Sequence, residues 1–218
     1  MKKLPALILL LFSAYLNAAQ APWVGADLKG FSCIGGTQGY GPYDYTKTNE
    51  REKIPIVEQY HFPKNTEYLI KPVQGNFAGD FDYTLRAVPN HHRALLSLTR
   101  YQIQLNTKLK NTQKPFSPVE CYFQRAINFS PRDATTRALY AYYLHKVGQN
   151  EQAMKFYDQA ASMSPDSTKI LYSFSLFLLD IKKYDKAVEI AHKVYKDKKA
   201  PDALKNKLIK LKLWNNNN

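Results

Sequence analysis

Apolar positions follow two regimes along this chain. From Asp80 onward they recur every three or four residues, the spacing of one buried helix face. Before Asp80 that rhythm is missing. The clearest stretch runs from Ala134 to Ser167. Leu139, Tyr140, Tyr143, Leu144 and Val147 share one helical face. Ala153, Met154, Tyr157, Ala160 and Ala161 share the face of a second helix. Val147-Gly148-Gln149-Asn150 joins the two. Pro165 ends the second helix, because it has no amide to donate and forces the residue before it out of helical geometry. The small residues Ala141, Ala153 and Ala160 fall where two helices would touch closely.

The same pattern recurs on either side. Upstream, FDYTLRAVPNHHRALLSLTRYQIQL predicts the end of one helix, a break at Pro89 and a longer helix for which Asn90 is the candidate N-cap. A polar loop over 106–118 follows, then a helix over Val119–Phe129. Val119, Phe123 and Ala126 fall where the reference pair has Ala153, Tyr157 and Ala160. Downstream, Leu171, Phe174, Ser175 and Leu178 mark one helix, and Tyr184, Ala187, Val188, Ala191 and Val194 its partner. The prolines keep time. Pro131, Pro165 and Pro201 recur at nearly one interval, and the interval from Pro89 to Pro131 is longer, the excess falling in the loop.

A helix, a glycine turn, a helix and a proline within about 34 residues resembles the tetratricopeptide repeat. Ala141, Gly148, Ala153, Tyr157, Ala160 and Pro165 carry the resemblance, and it covers about residues 80–200. It implies a mainly α fold of about three helical hairpins. Such arrays need a polar terminal helix over the last apolar face. Pro201–Trp214 (PDALKNKLIKLKLW) fits, with Leu204, Leu208, Ile209 and Leu211 inward and lysines outward. A rival reading of this helix is a basic amphipathic segment for a membrane surface. Residues 215–218 read as a frayed tail. DYTLRAVPNHHRAL and VECYFQRAI also resemble segments of exported proteobacterial repeat proteins, which implies no activity.

Residues 20–79 read as irregular. Gly35-Gly36-Thr37-Gln38-Gly39-Tyr40-Gly41-Pro42-Tyr43-Asp44-Tyr45 is a glycine- and tyrosine-rich loop. Tyr40, Tyr43 and Tyr45 either contact a sugar or peptide ligand or lie down on the helical body. Lys53–Phe62 (KIPIVEQYHF) alternates and predicts one short strand, with Pro55 placing it at an edge. Asn65 is expected to cap a short helix over Thr66–Lys71, and Pro72–Gly79 to form a loop.

Residues 1–19 set the compartment. Met1-Lys2-Lys3 precedes the apolar run from Leu4 to Leu16, and small residues follow, as in a secretory signal peptide cut after Ala18 or Ala19. Export, to the periplasm or outside the cell, puts Cys33 and Cys121 in an oxidising environment, where a pair tends to close. The 31 lysines and arginines exceed the 18 acids, for a formal +13. Export argues against nucleic acid as the partner, as does the scatter of the cations.

The chemistry-bearing residues do not group into an enzyme's pattern. There is no Gly-x-Ser-x-Gly and no cysteine with a local histidine signature. His91 and His92 point about 100° apart on a helix, a poor metal pair, and no metal or cofactor is implied. Carboxylate pairs such as Asp80/Asp82 and Glu58/Glu67 lack any feature that sets a catalytic separation.

The repeat resemblance implies instead a groove lined by the first helix of each hairpin. Its candidates are Arg93, Leu96 and Arg100, then Thr135, Ala138, Tyr142 and His145, then Lys169, Tyr172 and Leu176. That mixture of cations, aromatics and aliphatics suits a protein or peptide segment of some acidic character. Where carboxylate-clamp members of the family use Asn and Lys, this chain has Ala138, Leu139 and Tyr142. The groove is either open or filled by residues 20–80. The chain thus reads as an exported binding scaffold, with a carbohydrate-binding or hydrolytic role for the Gly/Tyr loop as the alternative.

Overall fold

A computed structural model describes residues 20–105 and 113–214. The predicted leader, most of the 106–118 loop and the C-terminal tail lie outside the described residues.

Among the described residues the chain is mainly helical and has no strand. A 3-10 turn over Thr48–Lys53 leads into α1 (Ile54–His61), followed by α2 (Lys64–Glu67), α3 (Phe77–Ala87) and α4 (His92–Leu105). Then come α5 (Val119–Phe129), α6 (Ala134–Lys146), α7 (Asn150–Met163), α8 (Thr168–Asp180), α9 (Tyr184–Val194) and α10 (Asp202–Lys210). Helices α6 and α7 form one tightly packed hairpin and α8 and α9 another. The helices α4, α6 and α8 touch in sequence, and α10 lies against α8 and α9. One apolar core runs unbroken from Phe62 to Leu208.

The core repeats itself. Phe123 of α5 stacks on Tyr140 of α6 at 5.0 Å and lies 5.9 Å from Tyr143. Tyr157 of α7 stacks on Phe174 of α8 at 5.1 Å and lies 5.0 Å from Phe177. Every member of the second set follows its counterpart by one and the same interval, the one that separates Pro131 from Pro165. Fully buried Ala141, Leu144 and Ala153 likewise have buried Ser175, Leu178 and Ala187 at that offset. The small residues let the helix backbones approach, and the rings fill the space between hairpins.

Residues 53–79 depart from the sequence reading. The stretch predicted as a strand is helix α1. Its buried Ile54 and Val57 share one face, and His61 continues it. Pro55 sits in the first turn, where a missing amide costs nothing. The helix expected over Thr66–Lys71 is a single turn over Lys64–Glu67 that Asn65 does not cap. The loop expected to run to Gly79 stops earlier: α3 starts at Phe77, and Asn76 Oδ1 accepts from the Gly79 amide at 2.7 Å.

Asn90 does not cap α4 either. It is fully buried. Its amide donates to Asp44 Oδ1 (2.7 Å) and Asp133 Oδ2 (3.0 Å), and its Oδ1 accepts from the Tyr45 amide. His91 takes the capping role: its Nδ1 accepts from the Ala94 amide at 3.1 Å. That bond fixes the tautomer, so Nε2 carries the proton and donates to Glu58 Oε1 at 2.8 Å.

The expected disulfide between Cys33 and Cys121 is present, with a Cα–Cα distance of 5.4 Å. It fastens the segment before α1 onto α5. Arg125 of α5 fastens the same segment without a carboxylate partner. Its buried guanidinium donates to the carbonyls of Ala21 (2.6 Å) and Leu85 (2.7 Å) and to Gln38 Oε1 (2.7 Å). Trp23 lies against it, 5.1 Å from ring centre to guanidinium carbon. Burial, together with the neighbouring Arg86 charge, lowers its pKa to about 10.

Candidate functional site

Because α6, α8 and α10 run side by side, their inward residues form a common surface. Tyr142 and His145 are one turn apart on α6, and Leu176 and Asp180 one turn apart on α8. Together with Lys146, Tyr157, Ser173, Phe177 and Lys207 they line a cleft of about 170 Å³. That is below the roughly 300 Å³ of common small-molecule sites and suits a single anchoring side chain.

The cleft has an apolar floor and a charged rim. His145 stands edge-on to Phe177 at 5.0 Å. Lys146 Nζ lies over the Tyr142 ring at 5.5 Å. Tyr157 and Ser173 exchange a hydroxyl hydrogen bond of 2.8 Å, and burial raises the Tyr157 pKa. Asp180 joins three helices: His145 Nε2 lies 3.3 Å from its Oδ2, and Lys207 Nζ donates to its Oδ1 at 2.6 Å. Burial alone would raise the Asp180 pKa, but the bonds from Lys207 and His145 bring it below the usual value.

The other predicted groove residues scatter. Arg93 is held by Glu67 (Nε–Oε1 2.9 Å, Nη2–Oε2 2.5 Å) and by Glu58 (Nη1–Oε1 3.2 Å). The Glu67 bond is the main reason its pKa is raised. Its donors are thus committed to α1 and α2. Arg100 and Lys169 are exposed. Tyr172 packs against the core near Tyr195, whose hydroxyl bonds to the Pro201 carbonyl and the Lys205 amide. The cleft therefore unites Tyr142 and His145 but not Arg93, Arg100, Lys169 or Tyr172.

Residues 21–46 lie elsewhere. Their bonds reach α5 through Glu120, Gln124 and Arg125, α3 through Arg86, and the turns before α4 and α6 through Asn90 and Ser130. Within the glycine-rich loop, Tyr43 and Tyr45 lie against Ile54, Val57, Ala87 and Val88. Tyr45 also meets His91 and His92, at 4.4 and 5.0 Å. Only Tyr40 turns outward. Its hydroxyl donates to the Lys53 carbonyl at 3.3 Å, and it lines a cleft of about 240 Å³ with Ile56, Val57, Tyr60, His61 and Tyr83. His61 stacks on Tyr83 at 3.6 Å, and its Nδ1 has no hydrogen-bond partner.

Sequence reasoning missed Ser173, Asp180 and Lys207. Asp180 ends an apolar helix, and Lys207 is one of many lysines; only the stacking of α6, α8 and α10 brings them together. It also missed the buried cluster of Asp44, Asn90, Ser130 and Asp133, whose members come from distant parts of the chain. Among the described residues no three His, Cys, Asp or Glu side chains gather closely enough to hold a metal ion, and no helix is long and apolar enough to cross a membrane. Compared with family models and with curated proteins, the chain matches none.

Proposed function

We propose that this chain is an exported tetratricopeptide-type scaffold of the bacterial envelope that binds a segment of another protein in the cleft between α6, α8 and α10. The observation that carries this reading is the cleft itself: Tyr142, His145, Leu176 and Phe177 around a pocket sized for one side chain, with Lys146 and Lys207 at its rim. An anchor of this kind is aromatic or aliphatic, and an acidic neighbour in the partner would meet the two lysines. The recurrence of the stacked rings at the proline interval supports the repeat assignment. The signal-like residues 1–19 and the Cys33–Cys121 bond support export. The routing of residues 21–46 over α3 and α5 supports an open groove.

The test is site-specific photo-crosslinking from Leu176 in living cells, with the captured protein identified by mass spectrometry. The expected result is one dominant adduct that Tyr142→Ala abolishes while the fold persists. Unchanged adducts in Tyr142→Ala, or in an Arg100→Ala/Tyr142→Ala/Tyr172→Ala variant, overturn the reading.

The cleft at Tyr40 favours a second reading, carbohydrate binding. Tyr40 and Tyr60 offer ring surface beside the stacked His61–Tyr83 pair. Chemical-shift titration with neutral and amino sugars tests it; no shift at His61 or Tyr60 at millimolar sugar rules it out.

A further inference from the structure

The cations of this chain are divided by type. All seven arginines lie at or before Arg137, and those at positions 86, 93 and 125 are held in specific hydrogen bonds. From residue 181 to 214 there are 11 lysines, no arginine and only four acids. More than half of the formal excess of +13 therefore sits in the last part of the chain. A lysine is a hydrated point charge on a flexible stem, suited to attraction without fixed geometry.

The fold collects several of these lysines on one edge. Asp180 ties the end of α6, through His145, to the end of α8 and, through Lys207, to α10. The C-terminal ends of the three helices therefore lie side by side. Lys182 and Lys183 follow α8, and Lys210 and Lys212 close α10. All four are exposed, and none forms an ion pair among the described residues. The negative ends of the helix dipoles favour cations here, which explains one lysine per helix end but not two.

Two apolar side chains stand among them. The sequence reading placed Ile209 and Leu211 inward with Leu204 and Leu208. Leu204 and Leu208 are indeed fully buried, but Ile209 is 41% exposed and Leu211 42%. The helix therefore cannot lie along a bilayer on its own apolar face, because that face caps the core. Its tip remains: exposed aliphatic residues alternating with lysines. A soluble polyanion would make no use of Ile209 and Leu211, whereas a lipid surface would receive them between headgroups while lysines reach the phosphates.

We propose that this edge, where α6, α8 and α10 end, is a docking surface for an anionic lipid bilayer. It goes beyond the peptide-binding reading and does not depend on it. Bound this way, the array stands on its edge, with the Tyr142 cleft beside the membrane.

The test is co-sedimentation of the full chain with vesicles of phosphatidylglycerol and phosphatidylcholine, against vesicles of phosphatidylcholine alone. The wild-type chain is expected to favour the anionic vesicles and to lose that preference in high salt. Each lysine near such a surface is worth about fivefold in affinity. The Lys182→Gln/Lys183→Gln/Lys210→Gln/Lys212→Gln variant should therefore lose more than about 100-fold, with the fold retained by circular dichroism. Ile209→Ser/Leu211→Ser should lose several-fold and leave the salt dependence in place. None of these residues lines the Tyr142 cleft, so crosslinking there should persist in both variants. The proposal is overturned by equal binding to both vesicle types, by a lysine variant within twofold of wild type, or by binding of soluble heparin without binding of anionic vesicles.

Discussion

The ring of Tyr157 lies on the ring of Phe174 at 5.1 Å and 7°, and one proline interval upstream Phe123 lies on Tyr140 at 5.0 Å and 17°. Each stack joins the second helix of one hairpin to the first helix of the next. Phe174 is buried, with Tyr157 and Phe177 both against it. Truncating Phe174 to Ala removes both contacts and opens a cavity, an expected loss of about 3–5 kcal/mol. Urea unfolding monitored by circular dichroism measures it. A loss below about 1 kcal/mol would mean the rings do not hold the hairpins together.

The turns between paired helices show the same offset with a different residue. Gly148 has φ +85° between α6 and α7, and Lys182, its counterpart one interval later, has φ +62° between α8 and α9. A side chain in left-handed geometry costs roughly 1–2 kcal/mol. Lys182→Gly is therefore expected to stabilise the chain by up to about 1 kcal/mol, and Gly148→Ala to destabilise it by about as much. Paired thermal melts check both signs.

Arg125 carries the segment before α1. Replacing it with Met keeps the volume and removes the donors to Ala21, Leu85 and Gln38. The carbonyls of Ala21 and Leu85 are left without that donor, at an expected cost of about 3 kcal/mol or more. Hydrogen exchange should accelerate over residues 21–43 and stay unchanged in α8 and α9. Uniform acceleration would contradict an anchoring role.

Acid should weaken this fold in two stages. Burial holds the pKa of His91, and that of His61, below the usual histidine value. The unfolded chain then binds more protons, and stability falls as pH drops through about 6.5. Glu58, bonded by His91, has a lowered pKa. So do Asp44 and Asp133: burial, the largest single effect on each, acts the other way, but the bonds from Thr46, Asn90 and Ser130 to Asp44, and from His92 and Thr136 to Asp133, together outweigh it. Their contribution is present above about pH 4 and is lost as pH falls below it. Asp80, raised by burial, works the other way. Urea midpoints at pH 7.5, 5.5 and 3.5 should fall in order, and His91→Gln should flatten the first step. A midpoint that rises between pH 7.5 and 5.5 refutes this account.

What the sequence disclosed followed from locality. Helices α5 to α10 are bounded by Pro118, Pro131, Pro165, Pro201 and the Gly148 turn, and their apolar faces repeat within a few residues. Helix α1 was hidden because Pro55 reads as a strand-edge residue unless it is placed in a first turn. The segment before α1 has few apolar positions to give a period. Arg125, Asn90 and the disulfide hold it, each joining residues far apart in sequence. The candidate site divided the same way. Tyr142 and His145 were visible as neighbours on one helix. Asp180 and Lys207 belong with them only once α8 and α10 have stacked.

The hairpin of α6 and α7 offers Tyr140 and Tyr143 to the hairpin before it and Tyr157 to the hairpin after it. The rings of those two surfaces match: Tyr157 of one copy would meet the tyrosine pair of another as Phe123 does now, with Leu139 in place of Ser173 beside its hydroxyl and Met154 in place of Glu120 beside that of Tyr143. Residues 132–165 are thus a cassette with matching ends. A gene carrying that cassette twice should yield a longer folded array, weakened at the new junction by two hydroxyls without partners, with Leu204 and Leu208 still covering the last hairpin.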